Sequence, residues 1–361
     1  LRAAARGRDD EGVSEPVPSR RATAWVFTTA LAVALMVAIG GYTRLTGSGL
    51  SITEWAPIQG ALPPLGEAAW AEAFAKYQAS PEYLKVNAGM SFEAFQRIFY
   101  VEWGHRFVGR LVGVWVLVPL VVLARRRELP RWAARRMVAL FVAGGVQAAM
   151  GWIMVKSGLV DAPHVNPVKL TLHLLIAFGI FVGLLWTWLA LRAARAAAAP
   201  ADTSAVSPAP PPAFARYARA LVVSVFVVIA SGGLMAGTKA GWVFADFPTM
   251  NGEWWPTMAF RDGWRSPMHD PVSAHALHRA LALSLVAIGV GFFAATRRLP
   301  PGAPLRVGAT WVLAALAVQL SLGIATVMSH VALPIALTHQ LGGLGVLAMA
   351  TVAAFRARRA G

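Results

Sequence analysis

Apolar residues in this chain gather into long runs rather than alternating with polar ones over the short periods of a water-soluble fold. A bilayer core about 30 Å thick needs about 20 mostly apolar helical residues. On that criterion eight runs qualify: 24–42, 105–124, 137–155, 170–191, 218–237, 272–296, 307–328 and 335–355. The first run is too long for the core of a cleaved signal peptide and lacks a convincing small-residue cleavage site, so it reads as a retained helix. The pattern predicts an all-α integral membrane protein with eight transmembrane helices. The outer loop between the first two runs carries aromatic residues at helical spacing between Glu67 and Tyr100, which reads as an amphipathic helix on the membrane surface.

Composition agrees with the pattern. Of 361 residues, 57% are hydrophobic and only 14% charged, which excludes an ordinary soluble enzyme. The formal charge of +16 raises nucleic acid as a partner, and the placement of the charges removes it. Twenty-one of the 33 basic residues fall in the N-terminal tail, the C-terminus and the loops after the second, fourth and sixth runs, against nine in the opposite loops. The positive-inside rule therefore places both termini in the cytoplasm of a cell whose plasma (inner) membrane the chain spans. The remaining three, Arg106, Arg110 and Arg279, lie within apolar runs, where a charge needs a partner such as a buried anion. Snorkelling to the interface is the plainer alternative. There is no cysteine, so disulfides, thiolate metal sites, iron–sulfur clusters and covalently attached haem are excluded.

A Pro- and Ala-rich stretch after the fourth run cannot bury a core and reads as a flexible linker. It divides the chain into a cytoplasmic tail (1–23), a first four-helix bundle (24–195, with a long outer loop at 43–104), the linker (196–215) and a second four-helix bundle (216–361). The two bundles repeat each other. GGYTRLTGSG from Gly40 answers GGLMAGTKAG from Gly232, His105-Arg106 answers His278-Arg279, VQAAMG answers VQLSLG with Gln147 against Gln319, and TLHLL answers THQLG with His173 against His339. The halves are expected to be pseudo-symmetric.

The repeat sets four histidines near the outer ends of the even-numbered spans. Two imidazoles facing across a four-helix bundle, with no thiolate or carboxylate cluster, suit the axial positions of a haem better than zinc or di-iron chemistry. A single intramembrane histidine could equally be a satisfied hydrogen-bond donor, and recurrence at equivalent positions favours ligation. His275, three residues before His278 on the same face, is an alternative ligand or a propionate contact. His164, His269 and His330 lie in outer loops and read as solvated. Glu102 precedes His105 by three residues, and the second half has His275 rather than a carboxylate at that place. Glu102 could serve as a general base or stabilise a developing cation; a salt bridge or helix capping is the structural alternative.

These segments resemble the haem A synthase family, and within it the cysteine-free group that includes the mitochondrial enzymes. The resemblance rests on GGYTRLTGSGLSITEW, FQRIFYVEWGHRFVGR, GVQAAMGWIMVKSGL, HLLIAFGIF, AGTKAGWVFADFPTMNGEWWP, LHRALA and THQLGG, which together touch all eight runs. It implies an oxidoreductase that converts a methyl group of its substrate, haem O, to the formyl group of haem A by successive hydroxylations. It places haem O between His105 and His173 with Glu102 close to the reaction, and a resident haem b between His278 and His339. Arg106, Arg110 and Arg279 are candidate propionate partners. An unidentified electron donor or acceptor and the farnesyltransferase that makes haem O are the implied partners, beside the bilayer. Two other functions fit the histidines: a di-haem b-type electron carrier, and a haem transfer or assembly protein without catalysis.

Overall fold

The computed structural model describes residues 15–160, 162–199 and 211–358. Most of the linker segment and the start of the N-terminal tail lie outside the described residues. The described chain is all helical apart from loops and one isolated bridge between Met250 and Glu253. Eight helices are long and apolar enough to cross a membrane: α1 (Arg20–Leu45), α4 (Phe92–Arg125), α5 (Arg131–Ser157), α6 (Pro167–Ala197), α7 (Pro212–Gly237), α8 (Pro271–Thr296), α9 (Pro304–Met328) and α10 (Leu333–Arg358). Two short helices, α2 (Gly66–Gln78) and α3 (Pro81–Lys85), lie in the loop between α1 and α4.

The helix starts are chemically set. Ser91 caps α4 through its hydroxyl to the Ala94 N–H, Asn166 caps α6 through Val168 and Lys169, and Asp270 caps α8 through Val272 and Ser273. Each supplies an acceptor to first-turn N–H groups that have no partner within the helix. These caps fix the register of the histidines that follow.

Helices α1, α6, α7 and α10 form the middle of the molecule. Helix α6 packs on α1, α5 and α7, while α10 packs on α9, α7, α1 and α6. Gln340 of α10 donates to the Val37 carbonyl of α1 at 2.9 Å. Helices α4 and α5 flank one side and α8 and α9 the other, with side chains such as Val114, Val142 and Val318 more than half exposed, as expected of surfaces that face lipid.

The surface helix expected between Glu67 and Tyr100 takes a different form. Residues 92–100 are the first turns of α4 itself, so this span is 34 residues long and projects beyond the others. The apolar faces of α2 and of early α4 bury each other: Trp70, Tyr77, Phe95 and Phe99 make a separate small core, with Tyr77 stacked on Phe95 at 5.2 Å. Aromatic rings that pack together have no need of the membrane surface.

Candidate functional site

Each of the four repeated histidines meets a glycine on a neighbouring helix. A side-chain carbon added at Gly151 of α5 would come within 2.9 Å of the His173 ring, and one at Gly323 of α9 within 3.0 Å of His339. The same addition at Gly232 of α7 would reach His278 at 3.2 Å, and at Gly40 of α1 would reach His105 at 3.4 Å. A side chain at Gly151, Gly323 or Gly232 would therefore press on the facing ring, most sharply at the first two, whereas one at Gly40 would just touch His105. The His278 and His339 rings stand perpendicular with centroids 6.5 Å apart. His105 and His173 are near enough to interact electrostatically.

Hydrogen bonds orient some of the rings. The Ser231 hydroxyl donates to the Val228 carbonyl at 2.8 Å, which leaves its oxygen to accept from His278 Nδ1 at 2.9 Å. That arrangement puts the proton on Nδ1 and leaves Nε2 with a free lone pair. Ile39, which precedes Gly40 as Ser231 precedes Gly232, has no hydroxyl to offer His105. Gln319 Nε2 donates to the His339 carbonyl at 2.9 Å and lies 3.2 Å from His339 Nδ1; Gln147 Nε2 lies 3.2 Å from His173 Nε2.

The residues fit a haem in each pocket. His173 Nδ1, Gln147 Oε1 and Gln319 Oε1 are buried without a partner, which is uncommon for polar atoms unless something else satisfies them. Among the described residues no cluster of three or more His, Cys, Asp or Glu could hold a bare metal ion. Two opposed imidazoles with no further ligand suit an iron already held by a macrocycle and fall short of the four ligands of structural zinc.

Glu102 is 3% exposed and fully engaged. Its Oε2 accepts from the Ser51 hydroxyl at 2.7 Å and the Ile52 N–H at 2.9 Å, and its Oε1 pairs with Arg106 at 2.6 Å. Arg106 also donates to the carbonyls of Ile52 and Glu54, and Arg110 to those of Ala56 and Pro57. Together they fasten the loop that follows α1 over the His105 pocket. Arg279 does the same on the other side, donating to the carbonyls of Asp246, Pro248 and Thr249. The three arginines therefore stand at the pocket mouths as loop anchors, and Arg110 Nη1 remains buried without a partner.

His275 is fully buried, with Nδ1 on the Ala240 carbonyl at 2.9 Å and Nε2 accepting from Arg279 Nε at 2.8 Å. Both nitrogens of His275 are engaged by the protein, whereas His278 is engaged through Nδ1. His275 and Arg279 thus stand to the second loop as Glu102 and Arg106 stand to the first. Ser51, Ser231 and the ring-facing role of the four glycines were not singled out from sequence; the glycines are marked there by the internal repeat, whereas the serines carry no local signal.

Above this site, Glu82 is buried and accepts from Tyr77 at 3.1 Å, while Asn87 donates to the Tyr77 oxygen at 2.7 Å. Burial pushes the Glu82 carboxyl up to about 7 against the lowering effect of the Tyr77 hydrogen bond, and the Glu102 charge adds to the rise.

Eight apolar spans carrying four half-buried histidines, each against a glycine of a neighbouring helix, define a multi-pass membrane protein. The family described as cytochrome oxidase assembly protein matches residues 23–351, and the chain belongs to it. A haem A synthase of Caulobacter vibrioides is 40% identical over 344 residues, covering 94% of this chain and 97% of the relative. Haem A synthases of Methylobacterium sp. strain 4-46, 41% identical over 347 residues (94% and 92% of the two chains), and of Nitrosospira multiformis, 37% identical over 323 residues (89% and 88%), are similarly related.

Proposed function

We propose that this protein is a haem A synthase that oxidises a ring methyl of haem O to a formyl group by successive hydroxylations and loss of water. The observation that carries the reading is the glycine-to-histidine contact made four times, twice on each side of the α1–α6–α7–α10 core, in a chain related to haem A synthases over nearly its whole length. In this reading residues 24–195 and 216–361 are pseudo-symmetric bundles joined by a cytoplasmic linker, both termini are cytoplasmic, and the pockets lie toward the outer face of the plasma membrane.

The first bundle takes haem O as substrate, with His105 and His173 as axial ligands that orient the porphyrin. Glu102, one turn before His105 and held in an ion pair with Arg106, is the acid–base or cation-stabilising group at that pocket, and the loop it anchors excludes bulk water. The second bundle holds haem b between His278 and His339. Haem b, when bound, supplies a one-electron carrier between the substrate and an external donor or acceptor. Ser231 fixes the tautomer of His278, and His275 with Arg279 closes the second loop over it. Arg110, with an unengaged buried nitrogen, is the arginine of the first pocket best placed to receive a propionate. The farnesyltransferase that makes haem O is the partner from which substrate would arrive.

Expression with a source of haem O, followed by extraction and mass identification of the pigment, tests the reading. Formation of the formyl product supports it, and haem O recovered unchanged would refute it.

A further inference from the structure

The chain contains only five lysines, every other basic side chain being arginine, and three of the five come together. Lys156 at the end of α5, Lys169 in the first turn of α6 and Lys239 just past α7 line one cleft of about 920 Å³ at the histidine end of the molecule. The cleft sits where the start of α6 meets the end of α7, at the seam between the two sides, and Pro167 and Gly237 are both in its wall. Among the described residues its lining contains no carboxylate, and none of the three lysines is in an ion pair. Lys239 attracts the Glu82 carboxylate and works against the rise that burial causes there. The positive end of α6 points into the same space. Lys239 is held at φ +57, a left-handed conformation uncommon for a side chain of this kind.

With no carboxylate among the described lining residues, three ammonium groups gathered from three segments would repel one another unless an anion lies between them. The remaining wall says which anion. Ile153 of α5 is 47% exposed at the rim, so the charged cleft opens onto an apolar side of α5. A free phosphate would use the lysines and leave that wall bare, whereas a phospholipid uses both.

We propose that the Lys156–Lys169–Lys239 cleft binds the phosphate headgroup of an anionic phospholipid, its acyl chains running down α5 past Ile153. Such a lipid bridges the two sides of the molecule at the histidine end. Nothing in this site depends on the haem assignments; it needs only the membrane-spanning fold.

The test uses the full chain, stripped of lipid in neutral detergent and returned to bilayers of phosphatidylcholine with or without phosphatidylglycerol. Lipid retained through a second detergent extraction is measured by mass spectrometry. Each lysine near an anionic headgroup is worth roughly fivefold in affinity, so K156Q/K169Q/K239Q should lose phosphatidylglycerol by on the order of a hundredfold. The variant R97Q/R261Q/R265Q, with the same charge removed at the same end, should retain it. If the lysine triple variant does not fold in phosphatidylcholine, single K156Q and K169Q variants should each show a loss of roughly fivefold. Equal retention by the cleft variants and the control would overturn the proposal. So would equal retention of phosphatidylcholine, or displacement of phosphatidylglycerol by inorganic phosphate alone, which would mark a free-anion site.

Discussion

The two sides of the molecule repeat the glycine–histidine contact and surround it with different chemistry. Beside His105 the loop anchor is an ion pair, Glu102 with Arg106; beside His278 it is an uncharged imidazole with an arginine, His275 with Arg279. His278 has its ring fixed by Ser231, while Ile39 offers His105 nothing comparable. The apolar window of α5, which carries the glycine facing His173, is 6% buried, against 17% for α9, which faces His339. Helix α5 is thus the more exposed of the two, and the first histidine pair has a carboxylate one turn before His105, whereas the second has a hydroxyl that orients His278. On the proposed reading, that difference separates a site that must release its product from one that keeps a permanent occupant.

The comparison can be broken most severely at the ligands. His173→Ala is expected to reduce formyl product to background while pigment in the second pocket survives, as read by mass and by the optical spectrum of the purified protein; loss of all pigment would dissolve the distinction between the sides. Next in size is Glu102. Replacement by Gln keeps the hydrogen bonds to Ser51 and Ile52 sterically possible but removes the charge. An acid–base role predicts a fall of about a hundredfold in product formation. A purely anchoring role predicts instead faster proteolysis of residues 46–65 with little change in turnover per folded molecule.

A smaller effect is expected from pH. Glu82 keeps its proton up to about 7 when folded against an ordinary value of 4.5, so between those limits the folded cap holds a proton that the unfolded segment has released. Stability of the α2–α3 cap should therefore be greatest below about 4.5, fall as pH rises to about 7, and level off above it. Glu82→Gln should flatten that slope in a proteolysis-versus-pH experiment, and an unchanged slope would place its origin elsewhere. The smallest effect belongs to Ser231→Ala. It should alter the low-spin spectrum and shift the midpoint potential of the second-pocket pigment without releasing it, and Ser231→Thr should restore both.

Much of the fold was legible because a bilayer imposes one simple length on every span and because the chain repeats itself. All eight spans and the four ring-bearing positions follow from those two facts. The start of α4 was not, since residues 92–100 are as aromatic as a surface helix. Only the matching apolar face of α2, distant in sequence, shows that they are buried in a protein core. The carbonyl partners of the arginines were hidden for a related reason. A cation inside an apolar run announces that it has a partner, but the carbonyls of Ile52, Ala56 and Asp246 become partners only when the loops fold back. Likewise the repeat favours His278 over His275 in sequence, and the two become distinct in structure once Ala240 and Arg279 engage both nitrogens of His275.

The division between a substrate pocket and a resident pocket is tested most directly by filling one glycine cradle at a time and identifying the haems that co-purify. Gly151→Val intrudes on His173 and Gly323→Val on His339, at 2.9 and 3.0 Å respectively for the first added carbon. The account predicts that Gly151→Val retains haem b and makes no formyl product, and that Gly323→Val loses haem b. Haem b lost from Gly151→Val and kept in Gly323→Val would contradict it.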